Sequence, residues 1–534
     1  MEIELKLALP PQSVENIRQL ALLSEFEAEQ HALRSIYFDT PHFALMKRAI
    51  AIRLRQVGPY WVQTMKSDTP TLGAISSRPE WEMAIADGSQ PDFSLLPPAA
   101  LNLLHGIDLQ QIAPVFITEF QRSTWQITRG DDHAELALDL GEIQAGTATQ
   151  VISEIEIELK AGNAEFLFDI ATQLLAHAPL LPEPLHLEPR SKAERGYVLR
   201  GAQRAAPAKS VTPEINRHQR ANETWHAVMQ AALTQCVSNL PGFFEQADDT
   251  EYLHQLRIAM RRLRAGVTLA RSLGLPAPAW VNALREAMGT LNAARDWDVF
   301  MQETLPALSA LSPATNAPAP NALATNATTP ASPELEQVIK QAHQQARQHA
   351  QTALRKPEFT QLILDIERDL LTHPLPTQSL STRSLSTQPL SPHPPRKKTP
   401  PARAWAGKIL QKRWLTVRKH CRKFSQLTPA EQHAARIAAK KLRYAADAFA
   451  PLYGKKSTRF IKALANLQNS LGSGHDALIG TQLLHALAQE SPHNAFALGR
   501  MSGTLEGEMQ RRSALSSTVW QRLAHSKPFW RGKK

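Results

Sequence analysis

Two segments of this chain place carboxylates on alternate positions and end on a lysine. They are Glu2-Ile3-Glu4-Leu5-Lys6 and Glu154-Ile155-Glu156-Ile157-Glu158-Leu159-Lys160. In an extended strand alternate side chains share a face, so each segment sets acids and a lysine on one side and aliphatics on the other. Other segments carry the opposite charge. Arg53 and Arg55 alternate with Ile52 and Leu54, and Arg34, Lys66, Arg78, Arg122, Arg190, Lys192 and Arg195 lie in comparable stretches. Glu80, Glu82 and Asp139 add acids. Arginine and lysine suit phosphate oxygens, and arginine can bind two at once. Carboxylates repel phosphate but hold Mg²⁺ or Mn²⁺, which then bridges to phosphate. A cavity lined by both signs fits a metal–polyphosphate complex, with the metal polarising the phosphoryl group and activating water while basic groups take up charge on the leaving phosphate.

Positioning such residues requires short strands. Alternating runs occur at 2–7, 33–39, 49–56, 60–66, 78–85, 115–127, 133–140 and 151–160, with helical interruptions near 11–23, 95–112 and 163–177. Eight short strands with few crossover helices predict an antiparallel β barrel over residues 1–205. Small barrels normally fill their interiors with apolar side chains. One alternating strand would read as a half-exposed surface strand, but five or more point to a charged interior. Burying so many charges is costly unless they are paired or hold an ionic ligand.

Beyond residue 214 the period becomes helical, with segments at 214–240, 250–272, 278–304, 334–371, 403–424, 428–450, 457–489 and 493–523. Residues 305–333 and 373–403 are low-complexity and are expected to be loops or linkers. A chain of 534 residues exceeds one core. The fold class expected is therefore multidomain α+β: an eight-stranded tunnel followed by an all-α domain over 214–525. Residues 1–200 carry 16 Lys/Arg against 27 Asp/Glu, and the remainder 44 against 22. Two modules with different ligands follow, the second ligand being polyanionic. On charge alone nucleic acid, polyphosphate and anionic membrane all qualify. The only cysteines, Cys236 and Cys421, form neither a disulfide framework nor a zinc spacing. No signal-peptide pattern and no apolar run of about 18 residues is present, so a cytoplasmic protein without a membrane span is expected.

The helical half repeats itself. The run from His254 to Arg264 aligns with that from His433 to Arg443, and Leu291–Asp296 aligns with Leu471–Asp476 at almost the same offset, which predicts pseudo-repeats at about 214–304 and 403–489. On a helix His254, Arg257, Arg261 and Arg264 fall within about 80°. His433, Arg436, Lys440 and Arg443 do the same. Two such faces predict one extended basic channel. Aromatics are 6% of the chain and do not interleave with these basic residues, which argues against single-stranded nucleic acid.

The first 200 residues resemble the CYTH family, the triphosphate tunnel metalloenzymes. The resemblance rests on Glu2-x-Glu4-x-Lys6, Tyr37-Phe38-Asp39-Thr40-Pro41, Ile52-Arg53-Leu54-Arg55, Thr64-Met65-Lys66, Arg78-Pro79-Glu80-Trp81-Glu82, Asp139 before Gly141, Glu154 to Glu158, and Ser191-Lys192-x-x-Arg195-Gly196-Tyr197. It implies metal-side carboxylates at Glu2, Glu4, Asp139, Glu154, Glu156 and Glu158, the register among the last three staying open. Phosphate contacts are implied at Lys6, Arg34, Arg53, Arg55, Lys66, Arg78, Arg122, Lys192 and Arg195. Catalysis would centre on Glu2, Glu4, Lys6, Glu156 and Glu158 with Mg²⁺ or Mn²⁺. The helical half resembles the CHAD family, on its two His-x-x-Arg-Ile-Ala repeats and their companions Arg295-Asp296 and His475-Asp476. This implies two four-helix bundles that bind inorganic polyphosphate. The combined expectation is hydrolysis of inorganic tripolyphosphate to pyrophosphate and phosphate, next to a polyphosphate-binding domain. A class IV adenylate cyclase, a thiamine triphosphatase and a non-catalytic polyphosphate-binding adaptor are the alternatives.

Overall fold

The structure is a computed structural model, which describes residues 2–67, 75–177, 184–204, 206–209, 213, 215–246, 248–310, 333–372, 399–512 and 516–531. The side chains of Glu2, Arg78 and His475 lie outside that description.

Ten strands make the N-terminal sheet: β1 (Glu2–Ala8), β2 (Glu29–Asp39), β3 (Ile50–Val57), β4 (Tyr60–Ser67), β5 (Ile75–Arg78), β6 (Glu80–Ile85), β7 (Ala113–Arg129), β8 (Asp132–Ala145), β9 (Ala148–Ala161) and β10 (His186–Leu187). They form eight staves rather than ten. β5 pairs with β1 and β6 with β4, so the two are one stave interrupted at Pro79, and they close the barrel. Proline lacks the N–H a continuous ladder needs. β10 adds two residues to the same edge of β1. The hairpins β7–β8 and β8–β9 turn on two residues each, led by Gly130 and Gly146 at φ of 61° and 62°, the positive values that tight hairpin turns require.

Strand alternation sorts the side chains as the sequence predicts, and the apolar face points outward. Phe38, Ile52, Leu54 and Met65 pack beneath α1 (Pro98–Leu103) with Leu96, Ala100 and Leu104. α2 (Glu165–His177) lies on β8 and β9. These outer layers provide the hydrophobic burial that an ordinary barrel gains inside, and the interior is left for charge.

By packing, the chain divides into two compact units. One is Met1–Ser210, Gln230–Gln246 and Leu354–Pro392; the other is Val211–Met229, Ala247–Ala353 and His393–Lys534. The sequence reading put every helix beyond 214 in one domain, whereas two helical segments group with the barrel. One of them, Pro357–Thr372, ties to α2 through Arg368–Asp169 at 3.1 Å and through Gln361 donating to Thr172 Oγ1 at 3.2 Å.

In the second unit the expected helix 278–304 breaks at Leu291, then passes through a π turn at Phe300–Thr304 into Leu305–Ala310. Residues 305–310 are thus helical where a linker was expected. The rest of that segment, 311–332, and residues 373–398 lie outside the described residues. The expected helix 334–371 splits at Pro357. Trp297, Phe300, Leu335 and Ile339 share one core with Leu484, Leu487, Leu498 and Leu505, so the two repeats bury a common interior.

Candidate active site

Cross-strand register stacks the barrel interior in rows. Glu4 on β1 lies opposite Glu158 on β9, and Glu158 opposite Glu135 on β8. One row deeper, Lys6 is opposite Glu156. Deeper again, Glu154 faces Asp139 and Asp139 faces Arg122 on β7. The next row is apolar, with Ile152, Gly141, Phe120 and Leu33.

That apolar end is plugged by α3 (Lys192–Leu199), whose N-cap Ser191 accepts from Glu194 N–H at 3.1 Å. Tyr197 meets the Phe116 ring edge-on at 5.2 Å, and Tyr37 stacks on Phe116 at 4.5 Å. A Cβ on Gly196 would lie 2.2 Å from the Phe116 ring, so only glycine allows the helix this close. Buried Asp39 accepts from the backbone of Thr40, Leu45 and Met46 at 2.6, 2.9 and 2.9 Å. It thereby folds the adjoining loop, which carries Phe43 to 5.8 Å from Tyr197.

Between plug and mouth lies a closed ion network. Lys192 Nζ is 2.5 Å from Asp139, 2.5 Å from Glu154 and 3.0 Å from Glu156. Arg122 forks onto Asp139 at 2.7 and 2.6 Å and reaches Glu156 at 2.5 Å. Lys6 holds Glu156 at 2.7 Å, and Arg195 pairs with Glu154. Burial would raise the Glu156 carboxyl, but Lys192, Lys6 and Arg122 hold it well below its ordinary value. Burial likewise opposes the charged forms of Lys192 and Arg122, and the carboxylates around them prevail and raise both.

The mouth is an open cavity of about 260 Å³. Glu4, Glu158, Glu135 and Lys160 line one wall; Arg53, Arg55, Lys66 and Tyr37 line another. Lys66 reaches Glu80 at 3.1 Å, and Arg53 lies 3.6 Å from Glu80 and 3.9 Å from Glu82. Arg55 donates from Nε to Ser35 Oγ at 3.1 Å and, among the described residues, forms no ion pair. Burial, then the neighbouring cations Arg53 and Arg122, pull its guanidinium down to about 10. Burial alone would raise the Tyr37 phenol, but Arg53, Arg55 and Lys192 bring it below its ordinary value. This wall holds uncompensated positive charge, which is what a bound polyanion would neutralise.

Two carboxylate sets compete as a metal site. Asp139, Glu154 and Glu156 each offer an oxygen within 4.8 Å of the others, a spacing suited to one ion. Four cations already serve those three acids, and the Lys192 ammonium sits where the ion would go. A divalent ion there would add charge to a network in which cations already outnumber the acids. Glu4, Glu158 and Glu135 instead face the cavity from three adjacent strands, with room for water and phosphate oxygens, the surroundings Mg²⁺ and Mn²⁺ favour. The mouth row is the set left open to an ion, while among the described residues only the three deeper acids bring their oxygens within 4.8 Å of one another.

In the second unit, α4 (Thr250–Ala270) starts at Asp249, which accepts from Glu251 N–H at 2.9 Å, and α5 (Pro429–Phe449) starts in a Thr428/Glu431 capping box. The two helices bring Arg257, Arg261, Arg436 and Lys440 into one field. Burial, then Arg436, Arg261 and Arg257, lowers the Lys440 amine to about 8. Burial and Arg261 lower Arg257 to about 10. The Nε atoms of Arg257, Arg261 and Arg436 are buried and, among the described residues, have no hydrogen-bond partner. Asp476 lies 3.6 Å from Arg436, and burial, then Asp476, raises the Asp296 carboxyl.

Residues 1–197 match the family model of the CYTH domain, and residues 227–485 that of the CHAD domain. The chain joins a CYTH domain to a CHAD domain. An inorganic triphosphatase of Haemophilus influenzae is 33% identical over 199 residues, 37% of this chain and 54% of that protein. The match thus spans about half the length of that curated relative. Among solved structures, the CHAD domain from the plant Ricinus communis is 27% identical with a TM-score of 0.49, over 60% of this chain and 98% of that one. A Hippeastrum protein, described as an adenylyl cyclase with a dominant triphosphatase activity, is 22% identical with a TM-score of 0.28, over 37% and 96%.

In the CYTH domain Glu4, Lys6, Arg53, Arg55, Lys66, Arg122, Glu156, Glu158 and Lys192 border the cavity. Four, Arg34, Asp139, Glu154 and Arg195, do not. Arg34 has the outward parity of Ile36 and Phe38 and lies in an external groove with Gln56 and Glu119. Asp139 and Glu154 are 0% and 1% exposed, locked inside the ion network, and Arg195 serves Glu154 there. The backbones of Glu2 and Arg78 face each other in register across β1 and β5. Glu135 was missed, although its parity with Asp139 on one strand would have found it. In the CHAD domain Arg264 and His433 are exposed, Arg443 lies 3.6 Å from Asp447, and His254, beside Arg295 and Arg261, is lowered first by its burial. Among the described residues no helix is long and apolar enough to cross a membrane.

Proposed function

We propose that the CYTH domain hydrolyses inorganic tripolyphosphate to pyrophosphate and phosphate with Mg²⁺ or Mn²⁺, and that the CHAD domain binds inorganic polyphosphate. The observation that carries the first half is the charge division of one cavity, with the Glu4–Glu158–Glu135 row on one wall and Arg55 without an ion pair on another. Arg53, Arg55 and Lys66 bind and orient phosphate oxygens. Glu4, with Glu2 at the start of its strand, Glu158 and Glu135 would hold the ion, which supplies charge neutralisation and polarises the phosphoryl group. Glu156 keeps its charge under three cations and is a poor base, so a proton leaving the attacking water goes to a mouth carboxylate instead. Lys6, at 2.7 Å from Glu156, positions the network.

The substrate class follows from the cavity lining. Apart from Ala51 and Ala193 its walls are polar, and the flat face of Tyr37 is taken by Phe116. An adenine or thiamine group would find no apolar bed, which favours an inorganic chain over the cyclase and thiamine alternatives. The relative named inorganic triphosphatase supports the same reaction class. For the CHAD half, the support is the convergence of Arg257, Arg261, Arg436 and Lys440, with three buried Nε donors awaiting an acceptor.

Phosphate release from tripolyphosphate, ATP and thiamine triphosphate, each with Mg²⁺ and with Mn²⁺, tests the first reading beside Glu4→Gln. Metal-dependent release from tripolyphosphate, abolished in the variant, is expected. Release from none of the three would leave the barrel a receptor.

A further inference from the structure

The pairing of β8 with β9 slips by one residue at the mouth of the tunnel. His133 faces Ala161 while Ala134 faces Leu159, so Lys160 is the extra residue of a β-bulge. A bulge bends its strand and re-aims a side chain. Here Lys160 keeps the parity of Glu158 and lines the cavity beside it. Its Nζ lies 2.7 Å from Glu158 Oε2 and 3.8 Å from Glu135 Oε1. Glu135 is itself fixed, since Gln126 Nε2 donates to its Oε2 at 2.7 Å and Gln126 Oε1 meets His133 Nε2 at 2.9 Å. Lys160 is 34% exposed along its side chain and carries its charge on a flexible four-carbon stem.

We propose that Lys160 is a place-holding cation, which yields Glu158 and Glu135 to the incoming divalent ion and then binds the outermost phosphate of the triphosphate. This rests on the reading of the barrel as a metal–triphosphate site. Two acids on an open cavity wall need a counter-charge before the ion arrives, and Lys160 supplies a movable one. A divalent ion on the same oxygens repels the ammonium, whose nearest new partner is then the phosphate chain. Metal and substrate therefore favour each other's binding, because the lysine displaced by one is taken up by the other.

The test is titration of the full chain with Mn²⁺ alone, and with tripolyphosphate in the presence of Mn²⁺, in wild type, Lys160→Met, Lys160→Gln and Lys160→Arg. Both neutral variants should bind Mn²⁺ alone about two- to fivefold more tightly and the triphosphate about two- to fivefold more weakly, the range for a partly exposed pair. Lys160→Arg should keep the wild-type triphosphate affinity within about twofold, within the scatter of such a partly exposed pair. Unchanged or weaker Mn²⁺ binding in both neutral variants would overturn the exchange, as would failure of wild type to bind Mn²⁺ at all. Absence of phosphate release from wild type would remove the hydrolytic reading alone, since the two affinities still decide the exchange.

Discussion

Replacing Arg55 should make the protein more stable and less able to bind its substrate. Arg55 sits in the tunnel beside Arg53 and Arg122, with Ser35 as its hydrogen-bond partner and, among the described residues, no ion pair. Its guanidinium falls to about 10, with burial the largest cause. A cation with a lowered folded value is penalised in the folded state at every pH where both states are charged. The penalty is therefore full below pH about 10 and fades as pH rises through it. At about 1.4 kcal/mol per unit this is at most about 3 kcal/mol at pH 7. Allowing for the lost Ser35 bond and for relaxation, Arg55→Met should gain about 1–2 kcal/mol, a rise of a few degrees in the barrel's unfolding temperature. The same change removes a charge-assisted phosphate contact and should weaken tripolyphosphate binding about 10- to 100-fold. Arg122→Met is the contrast, because it strands Asp139 and Glu156 and should cost about 3–5 kcal/mol. Calorimetric unfolding with and without tripolyphosphate reads both effects. Destabilisation of Arg55→Met equal to that of Arg122→Met would refute the reasoning, because Arg55 would then be paired as fully as Arg122.

Gly196→Ala should push α3 away from Phe116 and cost about 1–3 kcal/mol in urea unfolding, because the added Cβ has no room. Polyphosphate binding by the CHAD domain should weaken as pH rises from 7 to 9. Lys440, at about 8 in the free protein, must be protonated to contribute, so binding takes up a proton near pH 8. Lys440→Arg should flatten that profile in calorimetric titrations. Replacing Arg257, Arg261 and Arg436 together by glutamine should lower polyphosphate affinity at least about 30-fold and reduce the salt dependence by about one unit of slope per residue. Unchanged affinity would place the polyanion elsewhere.

The strand and helix pattern was legible because alternation and helical period are written in neighbouring residues. The staves, the charged interior and the two basic helices all follow from periods of 2 and 3.6. The partners of each charge were not legible, because register across strands decides them. Lys192 stands at the start of a helix some thirty residues beyond β9, yet its ammonium meets Asp139, Glu154 and Glu156 together. Arg34 resembled the other tunnel arginines in composition, and its parity with Ile36 and Phe38 puts it outside. Lys160 keeps the parity of Glu158, as the alternation predicts, but the bulge at that position is not written in the local pattern. The break at Pro357 could have been read from the sequence, whereas the π turn at Phe300–Thr304 could not.

The interior of the barrel resolves a problem that the sequence poses, namely how a small tunnel can fold around so many ionisable groups. It does so by grading them along its axis. At the plugged end Tyr37, Phe116, Phe120 and Tyr197 bury apolar surface in the usual way. In the middle, Lys6, Arg122, Lys192 and Arg195 balance Asp139, Glu154 and Glu156 closely enough that each buried charge has a partner, the condition under which buried ions are tolerated. At the mouth the balance is left open, with acids facing Lys160 on one wall and, among the described residues, Arg55 without an ion pair on another. A carboxylate can hold a metal or accept a proton only if its lone pairs are not already committed to fixed cations. On that criterion Glu154 and Glu156 belong to the architecture, although they stand in the same alternating run as Glu158. The proposed chemistry then falls on the row that Glu158 shares with Glu4 and Glu135.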